Sequence, residues 1–496
     1  MENPTSGTSN HSSIWRGQLL PITLANLTVV AVAAFDGLAI IAALPNIAKD
    51  LGNISLTPWV ITSFLTTSAI AAIVAGPIID AIGVRKTFRI TGIWFLLTSA
   101  AVAVSPNLPV LIALRAMQGI GGGLVIAVAL ASVGLAYPDP LRPQAFATNS
   151  MVWGTMGLGG PVLAGALLGL GGWRLVFLIQ LPITALALGM GWNALPDVKQ
   201  QRPIRTMTFD TKGIGILSIA ITTSLIAVTK ISSQFLVALV LLIIAFFSAS
   251  RYWTHSADHP NPVLERQHLT RYPLSRIHLA SAFALITGLA ADNYLPLYMQ
   301  TTRGRSETFA AFSVVFLTVG WTLAAFLTSR LLNHWREQRI ILLGSIMMPP
   351  SVFIAGIAVS EDWSLTILLA AFFAIGSSIG FISTSGLTLL QSQSDHSEMG
   401  RSNSAHQFIR TLAIAYGVAI GGAILLAVVS AQTGDVETVR NVLSGSDVSV
   451  AKETVQSIGS GFAWIHVFSG STALVGLLIA ISLNRDKPKP QETVSS

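Results

Sequence analysis

VVAVAAFDGLAIIAALP, residues 29–45, is apolar or small at every position except Asp36. Continued upstream by LLPITLANLT, it reads as a membrane span, for which about 20 mostly apolar residues suffice. A carboxylate at the centre of such a helix costs about 2.5–3.5 kcal/mol even on insertion scales. Asp36 therefore asks for a partner, a water-filled cavity or a chemical role, and the rest of the chain decides which.

The same texture runs through the whole sequence. Of its 496 residues, 52% are hydrophobic and only 10% charged, against about 25% charged in an average soluble domain. The apolar residues lie in long blocks, where a soluble core would space them at helical or strand periods. The chain reads as an all-α polytopic membrane protein. Its first eighteen residues, MENPTSGTSNHSSIWRGQ, are polar. They lack the basic start, short apolar core and cleavage site of a secretory signal, so the first span is expected to be retained. Cysteine is absent, which excludes disulfides, thiolate metal sites and thiol nucleophiles.

Fourteen spans are expected, near 19–45, 57–79, 88–106, 108–134, 145–170, 173–194, 212–229, 232–250, 277–300, 308–330, 340–359, 364–391, 404–429 and 461–484. With the N-terminus inside, twenty of the 29 Lys and Arg fall in inside segments and seven in outside ones, while Arg115 and Arg410 lie within spans. That excess predicts both termini in the cytoplasm. The net charge of +7 is accordingly read as a topology device, with no nucleic-acid partner. Two connections are long, 251–276 inside and 431–460 outside, and neither carries a recognisable catalytic or metal constellation. The nine histidines are scattered, with no pair at ligand spacing on one helix face and no Walker-type lysine loop. Neither enzyme chemistry nor ATP hydrolysis is expected.

Six stretches carry a family resemblance. GPIIDAIGVRK (76–86) resembles the loop motif G-x-L-x-D-r-x-G-r-R of the major facilitator superfamily, with Ala81 and Val84 replacing basic residues. LRAMQGIGGG (114–123) is similar to that superfamily's R-x-x-Q-G. GTMGLGGPVLAG (154–165) is similar to the glycine-rich G-P-x-x-G-G pattern of its antiporters, with Ala164 in place of one Gly. FDGLAIIAALP (35–45), GGWRLVFLIQLPI (171–183) and NYLPLYMQTTRGRS (293–306) resemble three further patterns, of the first helix, the entry to the sixth and the exit of the ninth. With fourteen spans, the chain looks like a member of the fourteen-helix drug:proton antiporter family. Leu38 and Ile41 stand where that family's first helix has Thr and Asn, which leaves Asp36 fewer polar neighbours.

The resemblance implies a cytoplasmic tail (1–18), a six-helix bundle (19–194) and two inserted helices with their flanking loops (195–276). A second six-helix bundle (277–484), holding the extracellular loop 431–460, and a cytoplasmic tail (485–496) follow. A trace of the repeat is visible directly: SRLLNHWREQR (329–339) aligns with GPIIDAIGVRK, setting Ser329 on Gly76 and Asn333 on Asp80. The second copy lacks the carboxylate.

At 1.5 Å per residue, Asp36, Arg115 and Asp292 fall in one layer of the outer half of the membrane. Asp36 with Arg115 is either a structural ion pair or a proton-coupling site. Asp292 is a candidate second proton site, a site for a cationic substrate, or part of an outer vestibule. Gly76, Asp80, Gly83, Arg85 and Lys86 read as a charged cytoplasmic latch between the bundles, or as topological charge alone. Gly154, Gly157, Gly159, Gly160 and Gly165 allow close helix crossing and Pro161 a kink; the resemblance implies a segment that seals the bundle interface. Arg410 reads as a packing anchor, while Trp153 and Trp321 line a cavity or face lipid or core.

The resulting expectation is a proton-coupled efflux antiporter, multi-pass in the plasma (inner) membrane. It would export amphipathic, cationic or neutral lipophilic compounds by rocking of two bundles. Its partners would be a small lipophilic substrate, protons and membrane lipid, with no ATP and no cofactor beyond the proton gradient. Two alternatives are export of an endogenous lipid or metabolite, and a non-transporting receptor or assembly partner. Membrane-buried charge weighs against the last.

Overall fold

A computed structural model describes residues 13–51, 58–197, 210–231, 234–394, 398–433 and 452–485. Most of the expected tails 1–18 and 485–496, and of the 431–460 connection, lie outside the described residues. The described chain is all-helical. Its first group comprises α1 (Leu19–Leu51), α2 (Pro58–Ile82), α3 (Val84–Ala103), α4 (Leu108–Ala136), α5 (Arg142–Gly171), α6 (Trp173–Leu178) and α7 (Gln180–Gly191). Next come α8 (Thr211–Lys230), α9 (Phe235–Asp258) and the short α10 (Gln267–Thr270). The remainder is α11 (Leu274–Asp292), α12 (Leu295–Thr301), α13 (Glu307–Ser313), α14 (Val315–Leu331), α15 (Glu337–Ser360), α16 (Leu365–Ser392), α17 (Met399–Thr433) and α18 (Lys452–Arg485).

Each of the fourteen expected stretches coincides with helix in the described residues. Eleven described helices are long and apolar enough to cross a membrane, or twelve if the bent α5 counts as one span. The difference has visible causes. The first two turns of α3 carry Arg85, Lys86 and Arg89, and α14 has only 17 residues.

Small residues set the packing. α1 packs on α5 and α7, and α2 and α3 on α4; in the second half α14 and α15 pack on α16, and α11 on α17 and α18. A Cβ on Gly119 or Gly123 of α4 would collide with the Phe64 or Ser68 carbonyl of α2. The same crossing recurs in the second half, where Gly376 and Gly380 of α16 meet the Leu317 and Trp321 carbonyls of α14. Small residues four apart let two backbones touch without a hydrophobic driving force, as lipid-embedded helices require. The two halves meet chiefly through α2 with α17 and α5 with α14.

The 251–276 connection is not a loop throughout. α9 continues to Asp258, because Tyr252 and His255 tie its last turns down. Tyr252 Oη donates to Leu264 O (3.0 Å) and accepts from Leu264 N (2.8 Å). His255 Nε2 lies 2.6 Å from Asp210 Oδ1, and Asp210 also accepts from Gly213 N at 2.7 Å and caps α8.

Candidate functional site

Asp36 and Arg115 form an ion pair sealed inside the first half. Arg115 Nη1 donates to both carboxylate oxygens of Asp36 at 2.9 Å, and each residue is only 1% exposed. The same nitrogen donates to Gln118 Oε1 at 2.7 Å, and Gln180 Nε2 donates to Asp36 Oδ1 at 3.0 Å. Gln118 Nε2 in turn donates to Ser99 Oγ at 2.8 Å. The guanidinium is roofed by aromatic faces, with Phe64 at 4.2 Å and Phe177 at 5.6 Å from its carbon. Such faces attract a desolvated cation without offering a competing anion.

Six helices deliver these groups, Phe177 coming from α6. α1 brings Asp36; α4 brings Arg115 and Gln118, three residues apart and hence on one face. Ser99 comes from α3 and Phe64 from α2, held against α4 by the glycine crossing at Gly119. Gln180 opens α7 directly after the break that ends α6. Phe35, Ala39, Ile40, Val60, Leu111 and Phe177 belong to one buried apolar cluster beside the pair. The sequence alone pairs Asp36 with Arg115 but misses Gln118, Gln180 and Ser99. The first two stand inside quoted motifs, LRAMQGIGGG and GGWRLVFLIQLPI, so their signal is present.

Asp292 stands apart from this network. It is buried at the end of α11, and its Oδ1 has no hydrogen-bond partner among the described residues. On either side of it the chain packs on α17: a Cβ on Gly417 would lie 3.0 Å from Ile286 O, and Tyr294 Oη donates to Val418 O at 2.8 Å.

The expected latch is rearranged. Asp80 Oδ2 accepts from Arg401 Nε at 3.1 Å, so the acid of the first half pairs with a base of the second. Arg401 Nη1 also donates to Glu265 Oε1 at 2.7 Å. Arg85 points elsewhere, donating to Leu195 O at 2.6 Å and lying 3.5 Å from Asp197 Oδ2, while Lys86 is exposed. The reason is the corner at Gly83, whose φ of +82° turns α3 away from the interface. A Cβ on Gly76 would lie 2.7 Å from Arg401 Cα, so the backbones of α2 and α17 touch here. Asn333, the repeat counterpart of Asp80, is exposed.

The glycine-rich helix divides in two. Gly154 and Gly157 abut Thr322 and Thr318 of α14, whereas a Cβ on Gly159 or Gly165 would meet nothing within 4 Å. Gly165 is therefore not a packing glycine in this chain, because α5 has by then bent away. The bend is 50° between Gly157 and Val162; it includes Gly160, which is buried, and Pro161, whose side chain lies outside the described residues. Arg410 stacks its guanidinium 5.8 Å from the Trp321 ring, joining α17 to α14, while Trp153 is exposed. At the far end of α1, Trp173 and Arg174 donate to Asp50 Oδ2 at 2.9 and 2.5 Å and hold its carboxyl below the usual range. No group of acids and histidines among the described residues is arranged to hold a metal ion.

Residues 27–418 match the sequence model of the Major Facilitator Superfamily. A probable multidrug-efflux transporter of Mycobacterium tuberculosis is 25% identical over 91% of this chain and 97% of its own length. A multidrug transporter protein of Bacillus subtilis is 23% identical over 79% of this chain and 73% of its own length. Among solved structures, the human organic anion transporter MFSD10 superposes with a TM-score of 0.64 at 13% identity, covering 94% of this chain and all of its own.

Proposed function

The chain belongs to the Major Facilitator Superfamily, and from that premise we propose that it is a proton-coupled efflux antiporter. It is a multi-pass membrane protein and not an enzyme. Its substrates are amphipathic small molecules, cationic or neutral and lipophilic, moved out of the cell across the inner membrane. The Mycobacterium relative, named as a probable multidrug-efflux transporter, supports the outward direction, and both relatives support small-molecule drugs as substrates. The observation that carries the coupling is the buried Asp36–Arg115 pair with its glutamine shell. A purely structural pair in so apolar a setting is often replaceable by packed hydrophobes at no loss of stability.

In this reading the two halves form bundles that rock about a central cavity, with α8 and α9 inserted between them and both termini in the cytoplasm. A proton reaching Asp36 converts its carboxylate to a neutral acid and removes the charge that holds Arg115 Nη1. Gln118 Oε1 keeps the guanidinium in place, and Gln180 Nε2 keeps an acceptor on Asp36, so the site changes charge without collapsing. Opening toward the cytoplasm must then part Asp80 from Arg401 and Gly76 from the α17 backbone. Purified protein in proteoliposomes, given a pH gradient and a lipophilic cationic dye, tests this directly. Dye movement against its own gradient, driven by protons, is expected; dye flux indifferent to the pH gradient refutes coupling.

A further inference from the structure

Three histidines that are dispersed in sequence stand in one file behind the Asp80–Arg401 contact. His278 Nδ1 lies 2.9 Å from His406 Nδ1, and His278 Nε2 lies 3.3 Å from His268 Nδ1. All three rings are buried, and His406 Nε2 has no hydrogen-bond partner among the described residues. A single metal ion would need one nitrogen of each ring within about 2.0–2.1 Å of one point. His278 meets its neighbours with opposite ring nitrogens, so that geometry fails.

We propose that His268, His278 and His406 form a proton-binding site of the second half, which takes up one proton from the Asp80 end and thereby loosens the hold of Arg401 on Asp80. The proposal shares the latch with the function argued above but does not depend on Asp36. Three neutral rings carry three N–H protons; two fill the ring-to-ring contacts and the third rests on His406 Nε2. A proton arriving at His268 Nε2 lets His268 pass its Nδ1 proton to His278 Nε2. His278 then passes its own Nδ1 proton to His406 Nδ1. Four protons and one positive charge result, with both contacts still filled in the opposite sense.

The charged groups acting on the file are Glu265 and Arg401 at His268, and Arg410 at His406. α16 and residues 467–484 of α18, which pack on α11, carry no charged residue. Burial holds the His268 imidazole below its ordinary value, Glu265 opposes this and Arg401 adds to it. His268, the member of the file outside the spans, therefore gains its charge on acidification. While the added charge sits on His268 it competes with Arg401 for Glu265, whose Oε1 now accepts from Arg401 Nη1, and on passing to His406 it meets Arg410 instead. The same charge on His268 repels the Arg401 guanidinium, and that repulsion weakens its hold on Asp80.

The chain contains no cysteine, so Pro140→Cys and Gln393→Cys, exposed positions on the two halves, accept a unique pair of spin labels. Label separation in the full-length protein in nanodiscs, without substrate or gradient, is measured by pulsed electron resonance from pH 8 to about 4.5. The expected result is a shift to longer separation with a midpoint below neutral pH. His278→Gln keeps hydrogen-bonding capacity but cannot hold the proton, so it should move that midpoint by more than about one pH unit or abolish it. His268→Gln should do the same, which covers the case that His278→Gln does not fold. Asp36→Asn should leave the midpoint in place. A separation insensitive to pH overturns the proposal, as does a midpoint unmoved in both histidine variants or one lost only in Asp36→Asn. Failure of pH-driven transport in proteoliposomes would leave this titration intact, so the two readings fail separately.

Discussion

Asp80 and Arg401 are 321 residues apart in sequence, yet Arg401 Nε donates to Asp80 Oδ2 at 3.1 Å and closes one end of the protein. The contact joins the first half to the second where α2 and α17 touch backbone to backbone. Arg401 serves two acids, Asp80 and Glu265.

Asp80→Asn should therefore impair transport by several-fold while membrane insertion and yield stay normal. Arg401→Ala should cost more, since it also releases Glu265. The double exchange Asp80→Arg with Arg401→Asp should restore little, because a carboxylate at position 401 would face that of Glu265. Unchanged dye export by a well-folded Asp80→Asn protein would reduce Asp80 to a topology signal.

Glycine substitutions should split by surroundings. Gly76→Ala drives a methyl into the α17 backbone, a strain of the overpacking kind worth about 1–3 kcal/mol, and should lower both thermal stability and transport. Gly165→Ala meets open space and should stay within about 0.5 kcal/mol of the parent. Thermal unfolding in detergent checks both, and equal destabilisation would contradict the packing described.

For the buried pair, Asp36→Asn keeps the shape but cannot titrate. Uphill transport driven by pH should vanish, while substrate binding survives. Arg115→Ala leaves a buried carboxylate without its base and should destabilise by about 3–5 kcal/mol. Combining it with Asp36→Asn should recover part of that loss. Full uphill transport by Asp36→Asn in sealed vesicles would favour a structural role for the pair.

Asp292 has a buried oxygen free of partners among the described residues, as a site awaiting a cation would. Asp292→Asn should weaken export of cationic compounds several-fold more than that of neutral ones, measured side by side in vesicles. Equal losses would point to folding or coupling instead.

Asp210 predicts a pH dependence outside the membrane. Burial raises its carboxyl, but His255 and the backbone N–H groups of Gly213 and Val263 outweigh that and leave it below the ordinary value. A carboxyl lowered on folding stabilises the fold above about pH 4 and loses that contribution as pH falls through its folded value. Asp210→Asn should accordingly unfold at lower temperature near neutrality and show a flatter loss of stability below about pH 4. Parallel curves for the two proteins would exclude the α8–α9 tie as a contributor.

Asp36 and Arg115 stand out because each is a charge in an apolar run, and the depth of each along its helix places them together. Gln118 is within reach of the same logic, three residues from Arg115. Gln180 is not, since its position depends on the break between α6 and α7. The latch residues are half legible: Asp80 stands out as the acid of its motif and meets Arg401 of the second half, but Arg85 and Lys86, its neighbours in sequence, are not its partners. The turn at Gly83 sends them elsewhere.

Composition and block hydropathy by themselves determined a polytopic helical membrane protein, because a lipid-embedded chain must satisfy its backbone internally and shows that need in every span. They also determined which charges are costly enough to need explaining. Only the tertiary structure decided the partners: Arg401 for Asp80, Gln180 for Asp36, and one file for three histidines spread over 139 positions, 268 to 406. Helical periodicity reports one face of one helix. Which faces meet depends on where small residues let backbones touch and where corners turn the chain, and those act between segments hundreds of residues apart.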